Sequence, residues 1–221
     1  MEELLENETL EERKRSPLIY ILVIFLILLI VLMAIPYYSV KLDPRPSKII
    51  SLDEALVGEI LYVKDIDHRI VSRLDFKRFI SPEDEFVRNV AVKIVSNGCD
   101  VGGNRKVCSA KAIYYFVRNN IQYVGDPDEF EYGETVQDVI STGGSDCDGL
   151  STTLASLLEA VGVDVRLVFI PGHVYVQANL PEAMQSYKSD GNYVSLDATC
   201  KTCEFGEVPY TDNFDKEYLE V

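Results

Sequence analysis

The chain has 221 residues, 47% of them hydrophobic and 26% charged, a balance that belongs to folded protein and excludes a wholly disordered chain. Its 21 Lys and Arg stand against 36 Asp and Glu, a net charge of −15, and a surface so short of cations excludes nucleic acid as a partner. The acidity disfavours anionic substrates but identifies no substrate.

From Ser16 to Val40 no residue is charged, and Leu18 to Ile35 is dominated by Leu, Ile, Val and Phe. At about 1.5 Å per residue, roughly 20 such residues cross a hydrocarbon core of about 30 Å. Tyr20 near one end and Tyr37 and Tyr38 near the other suit the headgroup level, and Pro36 is placed to end the helix. A signal peptide has a shorter apolar core, about 7–15 residues, and a small-x-small cleavage site, which is missing after this run. The expectation is a charged tail over 1–15, a transmembrane helix over 16–40 and an extended linker over 41–50, with Pro44 and Pro46. Arg13, Lys14 and Arg15 abut the span more compactly than Lys41, Arg45 and Lys48, which predicts an inside N-terminus and an extracellular soluble domain on a single-pass cell-membrane anchor.

Residues 51–104 read as a helical N-terminal extension. Leu52 to Ile80 mixes apolar and charged residues at roughly helical spacing, interrupted at Asp65 to His68; His68, beside Asp67, is expected to be solvated. Ser81-Pro82-Glu83-Asp84-Glu85 starts a helix, with Ser81 as cap, that runs to about Ser96 and stops at Asn97-Gly98. A second domain is expected over 105–221. It opens with a helix over Ser109 to Asn119 that buries Ala112, Ile113, Phe116 and Val117. Gly125-Asp126-Pro127 marks a turn, and a short helical stretch from Gly133 ends at Gly143-Gly144.

The chemistry-bearing stretch begins at Gly143-Gly144-Ser145-Asp146-Cys147-Asp148-Gly149. Leu150, Leu154, Leu157, Leu158 and Val161 then trace one apolar helix face closed by Gly162, so Cys147 opens a buried helix. A helix start favours an anion, which predicts a lowered thiol pKa. Val163 to Ile170 reads as a strand followed by a Pro171-Gly172 turn. His173 to Leu180 alternates, with His173, Tyr175, Gln177 and Asn179 on one face, and Tyr193 to Asp197 alternates likewise. If these two strands pair antiparallel, His173 and Asp197 share a face at one end. A carboxylate can then steady the imidazole beside the sulfur, giving a nucleophile–base–orienter set.

Three groups of residues carry a family resemblance: the Leu-Leu-Glu-Ala-Val-Gly-Val-Asp-Val-Arg run at 157–166 after Cys147, Gly-His-Val-Tyr-Val at 172–176, and Leu-Asp-Ala-Thr at 196–199. With the lead-in Asn-Ile-Gln-Tyr at 120–123 and Glu-Thr-Val-Gln-Asp-Val-Ile at 134–140, the chain resembles the transglutaminase-like superfamily, and within it archaeal membrane-anchored members. The resemblance implies an α+β, papain-related fold, a Cys-bearing helix packed on an antiparallel sheet. It also implies Cys147 as nucleophile, His173 as general base and acid, and Asp197 as orienter. The implied function is a membrane-anchored cysteine hydrolase that opens peptide or amide bonds of a peptide or protein substrate through a thioester; the alternatives are an inactive binding or scaffold domain and an amine-transferring crosslinker. Tyr175 and Ala198 stand where the family often has Trp and Pro, and the absence of Trp from the chain favours hydrolysis over amine transfer. Gln122 is a candidate oxyanion donor by analogy with papain-like enzymes.

No cofactor and no metal is expected. Cys99, Cys108, Cys200 and Cys203 are an even set beside a free Cys147, and disulfides within 99–108 and within 200–203 are the expectation, fitting an oxidising location. A zinc site from all four is the rival, although the separation of Cys99 from Cys108 is wide for it; a redox role for 200–203 lacks a helix-opening context.

Overall fold

The computed structural model describes residues 17–62, 66–99, 105–125, 132–210 and 214–221, and of 35–42 the backbone alone. The chain divides into two compact units, Met1–Ser39 and Val40–Val221. The predicted tail with Arg13, Lys14 and Arg15 lies outside the described residues, as do Asp126 and Pro127 of the predicted turn.

Helix α1 (Pro17–Leu42) contains one apolar stretch, Pro17–Ala34, long enough to cross a membrane, and none of that stretch is buried in protein. The helix does not stop at Pro36 but continues to Leu42, into the predicted linker. Proline lacks one N–H and so removes one rung, a local loss that a long helix absorbs.

In the second unit, Ser51 and Glu54 form a capping box on α2 (Leu52–Leu56). Among the described residues of 52–80, helical structure is otherwise confined to a 3-10 turn at Arg73–Arg78, so the helical spacing there misleads. Gly58 at φ 78° ends α2, and the Asp75 carboxylate takes the N–H groups of Val71 and Ser72, offering the backbone an alternative to helix. Helix α3 (Glu85–Gly98) is capped by Asp84, which accepts from the Phe86 N–H at 3.0 Å, rather than by Ser81, whose N–H is held by Ser156 Oγ. It is joined by a Cys99–Cys108 disulfide to α4 (Arg105–Asn120), which buries Ala112, Ile113, Phe116 and Val117. Helix α5 (Val136–Thr142) begins with a Thr135–Asp138 capping box and ends at Gly143 in the left-handed region, φ 71°.

Helix α6 (Cys147–Ala160) lies at the centre of the helical layer. It was expected to bury one apolar face, yet every residue from Asp148 to Leu158 is buried. Three of its hydroxyls avoid the cost of burial by bonding backbone oxygens, Ser151 to Val174, Thr152 to Asp148 and Ser156 to Thr152, at 2.7–3.0 Å, whereas the buried Thr153 hydroxyl has no partner among the described residues.

Two short strands, β1 (Gln122–Tyr123) and β2 (Gly144–Ser145), pair in parallel just before α6. The main sheet holds β3 (Val165–Ile170), β4 (His173–Asn179), β5 (Lys188–Asp190), β6 (Tyr193–Leu196) and β7 (Glu217–Glu220), all antiparallel, in the order β5-β6-β4-β3-β7. Helix α6 packs on β3 and β4, and the core joins its Leu150, Leu154 and Leu157 to Val174, Val176 and Leu196. The middle of the polar face of β4, Tyr175 and Gln177, is buried. Gln177 is fully buried, its amide oxygen held by Arg166 at 2.8–2.9 Å and its nitrogen by Ser189 and Ser195. The Arg166 guanidinium in turn lies between the Tyr193 and Tyr218 rings, at 3.7 and 4.0 Å from their centroids.

Candidate active site

Cys147 is the first residue of α6, and the chain is forced into that start by its neighbours. Asp146 caps the helix, Oδ1 accepting from the N–H groups of Asp148 at 2.9 Å and Gly149 at 3.1 Å. Pairing of β1 with β2, with Val124 N–H donating to the Ser145 oxygen at 2.8 Å, fixes the approach from below. Ser145 donates to Glu134, and Gly149 sits against that contact so tightly that a Cβ there would come 2.0 Å from Ser145 Oγ.

Across from the helix, His173 Nε2 lies 2.8 Å from Asp197 Oδ2. Asp197 is 1% exposed; its other oxygen accepts from the Thr199 N–H at 3.0 Å and hydroxyl at 2.6 Å. Burial alone would raise this carboxyl, but the His173 contact and the Thr199 donors more than offset it and the pKa is lowered. An ionised carboxylate can only accept, so the proton sits on Nε2 and Nδ1 keeps its lone pair. The pairing expected of the two strands is present, with β4 antiparallel to β6 and Val176 opposite Leu196.

Cys147, Asp146, Asp148, His173 and Val174 open on one groove of about 540 Å³. The half-buried sulfur donates to Asp148 Oδ1 at 3.5 Å and receives the Val174 backbone N–H. The lowered thiol pKa expected of a helix start is not found. Burial first, then the charges of Asp148 and Asp146, push the thiol up to about 12 against the opposing Val174 N–H. A thiol so placed is protonated at neutral pH, and its reaction with iodoacetamide should climb through the alkaline range instead of levelling near pH 8 to 9. Asp148→Asn removes a negative neighbour, lowers that pKa and should speed alkylation at pH 8; an unchanged rate-versus-pH curve would refute the electrostatic cause.

The opposite wall of the groove comes from Ile70, Val71, Arg73 and Phe76, all upstream of α3, with Phe169 and Ile170 from β3. No periodicity in the sequence marks 70–76 as site residues. Arg73 lies over the Phe169 ring at 5.3 Å and pairs with Glu217 of β7. Gln122, the oxyanion candidate, is exposed on β1, and its neighbour Tyr123 lines the groove instead, since alternate strand residues face opposite ways. His68 is half-buried instead of fully solvated: Nδ1 contacts the Gly133 oxygen at 2.7 Å and the ring stacks on Tyr132 at 4.6 Å, away from the Cys147 groove lining. Asp146, Cys147 and Asp148 form one group whose potential metal-ligand atoms lie within 4.8 Å of one another, but Asp146 Oδ1 is already committed to the helix cap.

The remaining cysteines pair as Cys99–Cys108 and Cys200–Cys203, so a four-thiolate zinc site is not formed. Cys147 is the free thiol.

The family model that matches this chain, over residues 93–198, is that of the transglutaminase-like superfamily. Those residues belong to the transglutaminase-like superfamily. They contain Cys147, His173 and Asp197, while the 70–76 wall and the segment after β6 that carries Tyr210 fall outside them. A solved structure described as a "putative protease" from Parabacteroides distasonis is 14% identical with a TM-score of 0.40, covering 55% of this chain and 25% of that one. The chain thus spans about a quarter of that protein's length, and the likeness decides nothing about activity. No curated protein matches the sequence. In the transglutaminase-like domain of this chain, Tyr175, at the position where the family often has Trp, is 1% exposed and its ring centroid lies 6.3 Å from that of His173.

Proposed function

We propose that this chain is a membrane-anchored cysteine hydrolase acting on peptide or amide bonds, with Cys147 as nucleophile, His173 as base and then acid, and Asp197 as orienter. The observation that carries the reading is the 2.8 Å His173–Asp197 contact opening on the same groove as the Cys147 sulfur. His173 Nδ1 takes the thiol proton as sulfur attacks the carboxamide carbon; the tetrahedral intermediate collapses by breaking the C–N bond, and the imidazolium returns its proton to the leaving amine. Water then attacks the thioester, giving up a proton to the imidazole, and the thiol and a carboxylic acid are released. The raised thiol pKa makes base and nucleophile act together at the moment of attack, in place of a standing thiolate–imidazolium pair. The apolar wall of Ile70, Phe76, Phe169 and Ile170 suits an uncharged side chain beside the scissile amide.

The apolar stretch of α1 supports anchoring, and two disulfides support an extracellular placement of the domain. One feature favours a second reading, a binding or scaffold domain without turnover: burial first, and then the carboxylates that flank Cys147, push its thiol pKa up and so favour the protonated thiol. A thiol-directed amide-mimic probe separates the two. Labelling is expected in the wild type and in Cys200→Ala, and is expected to vanish in Cys147→Ala; equal labelling of all three sinks the hydrolase. In the same assay, incorporation of a labelled primary amine into the acyl product would reveal a crosslinker.

A further inference from the structure

We propose that Tyr210, outside the matched family segment, is a positioning residue that shields the Asp197 side of the His173–Asp197 pair from water and tunes the imidazole. The proposal rests on the hydrolase reading only for the use of that pair. The Tyr210 hydroxyl donates to Asp197 Oδ2 at 3.4 Å, the same oxygen that His173 Nε2 contacts at 2.8 Å. Its ring meets the imidazole edge to face, centroids 5.8 Å apart at 74°. Tyr175 lies against both, 5.5 Å from Tyr210 and 6.3 Å from His173, and Phe214 backs Tyr210 at 6.4 Å. The imidazole and the two phenol rings thus form a three-way cluster in which each ring lies against the other two, and the phenol of Tyr210 also bonds the carboxylate that orients the imidazole.

Two consequences separate this role from simple packing. An aromatic cover over a hydrogen bond between a charged and a polar group lowers the local dielectric and strengthens the bond. A hydroxyl shared by the same carboxylate oxygen competes with the imidazole for negative charge. Removing only the hydroxyl should leave the cover in place and make Asp197 a stronger partner for imidazolium, so the His173 pKa should rise. Removing the ring should expose the bond itself. Among the described residues, the other titratable or charged groups near the pair are Cys147, Asp146, Asp148, Arg73 and Tyr123 along the groove, Tyr175 on β4 and Tyr114, whose hydroxyl donates to the Asp197 backbone oxygen at 3.4 Å; both substitutions leave all of them intact.

The chain has two histidines, so imidazole NMR of the full-length protein in detergent micelles resolves His173 once His68→Gln assigns the other signal. In Tyr210→Phe, His173 should titrate at higher pH while its ring N–H exchanges with water as slowly as in wild type. In Tyr210→Ala, that exchange should accelerate at least about tenfold, as when a protected hydrogen bond gains access to solvent. Unchanged titration and exchange in both variants overturn the proposal, and so does a Phe variant as leaky as the Ala variant. The readout is the imidazole itself, so it stands or falls whether or not Cys147 turns over; absence of turnover in the wild type would count against the hydrolase reading alone.

Discussion

Replacing His173 with alanine is expected to cut amide turnover by about 100- to 10,000-fold, the range that a positioned general acid–base supplies. The upper part of that range applies here because Cys147 does not begin as a thiolate. Burial and the two flanking carboxylates push its pKa up to about 12, so at neutral pH nearly every attack requires a base to remove the proton in the same event. Some stability should be lost as well, since the buried Asp197 carboxylate loses the partner that offsets its burial, although the Thr199 donors remain. Amine release from a peptide pool, with the melting temperature as control, measures both. A variant that keeps wild-type turnover would show that the imidazole has no part in proton transfer.

The second large effect is structural and concerns Gly149. Adding a methyl group there puts Cβ 2.0 Å from Ser145 Oγ and 2.8 Å from Glu134 Oε2, inside the contact that seats the start of α6. Gly149→Ala should destabilise the fold by about 1–3 kcal/mol, the usual cost of overpacking. For a chain of this length each kcal/mol is worth roughly 2–4 °C in melting temperature. Ser145→Ala combined with it should restore part of the loss by removing the nearest atom, although Ser145 Cβ at 3.2 Å remains tight. A thermal melt of the two variants checks this; an unshifted Gly149→Ala melt would mean that the β2–α6 junction yields freely.

The parts of this fold legible in the sequence are those with a strong period. Strands β3, β4 and β6 and the start of α6 follow from alternation of two and from the Leu150, Leu154, Leu157 spacing, and these place His173 and Asp197 at one end of one face. Edge strands are a different matter. Lys188–Asp190 and Glu217–Glu220 are short and charged, and their backbone pairing, not their side chains, makes them strands. Residues 66–80 carry apolar groups at helical spacing, but Asp75 diverts the backbone N–H groups, and the segment becomes an irregular groove wall.

The approach of His173 to Asp197 was legible in the sequence, and the electrostatics around Cys147 were not. A helix start argues for a lowered thiol pKa, and Asp146 and Asp148 stand on either side of Cys147 in the sequence itself. Which influence wins depends on how deeply the sulfur is buried, a property of the packed groove that no local pattern encodes. Tyr210 is hidden for a similar reason. It reaches the Asp197 carboxylate only because the segment after β6 folds back over the sheet.

The claim at the centre of this account is that the Cys147 sulfur becomes acylated with help from the His173–Asp197 pair. Intact-protein mass spectrometry of the full-length chain, quenched in acid during turnover of a peptide pool and followed by peptide mapping, tests it most directly. The expected result is a hydroxylamine-labile acyl adduct on Cys147 in the wild type that is lost in His173→Ala. Substrate consumed with no adduct on Cys147, or an adduct formed equally well without the imidazole, would contradict it.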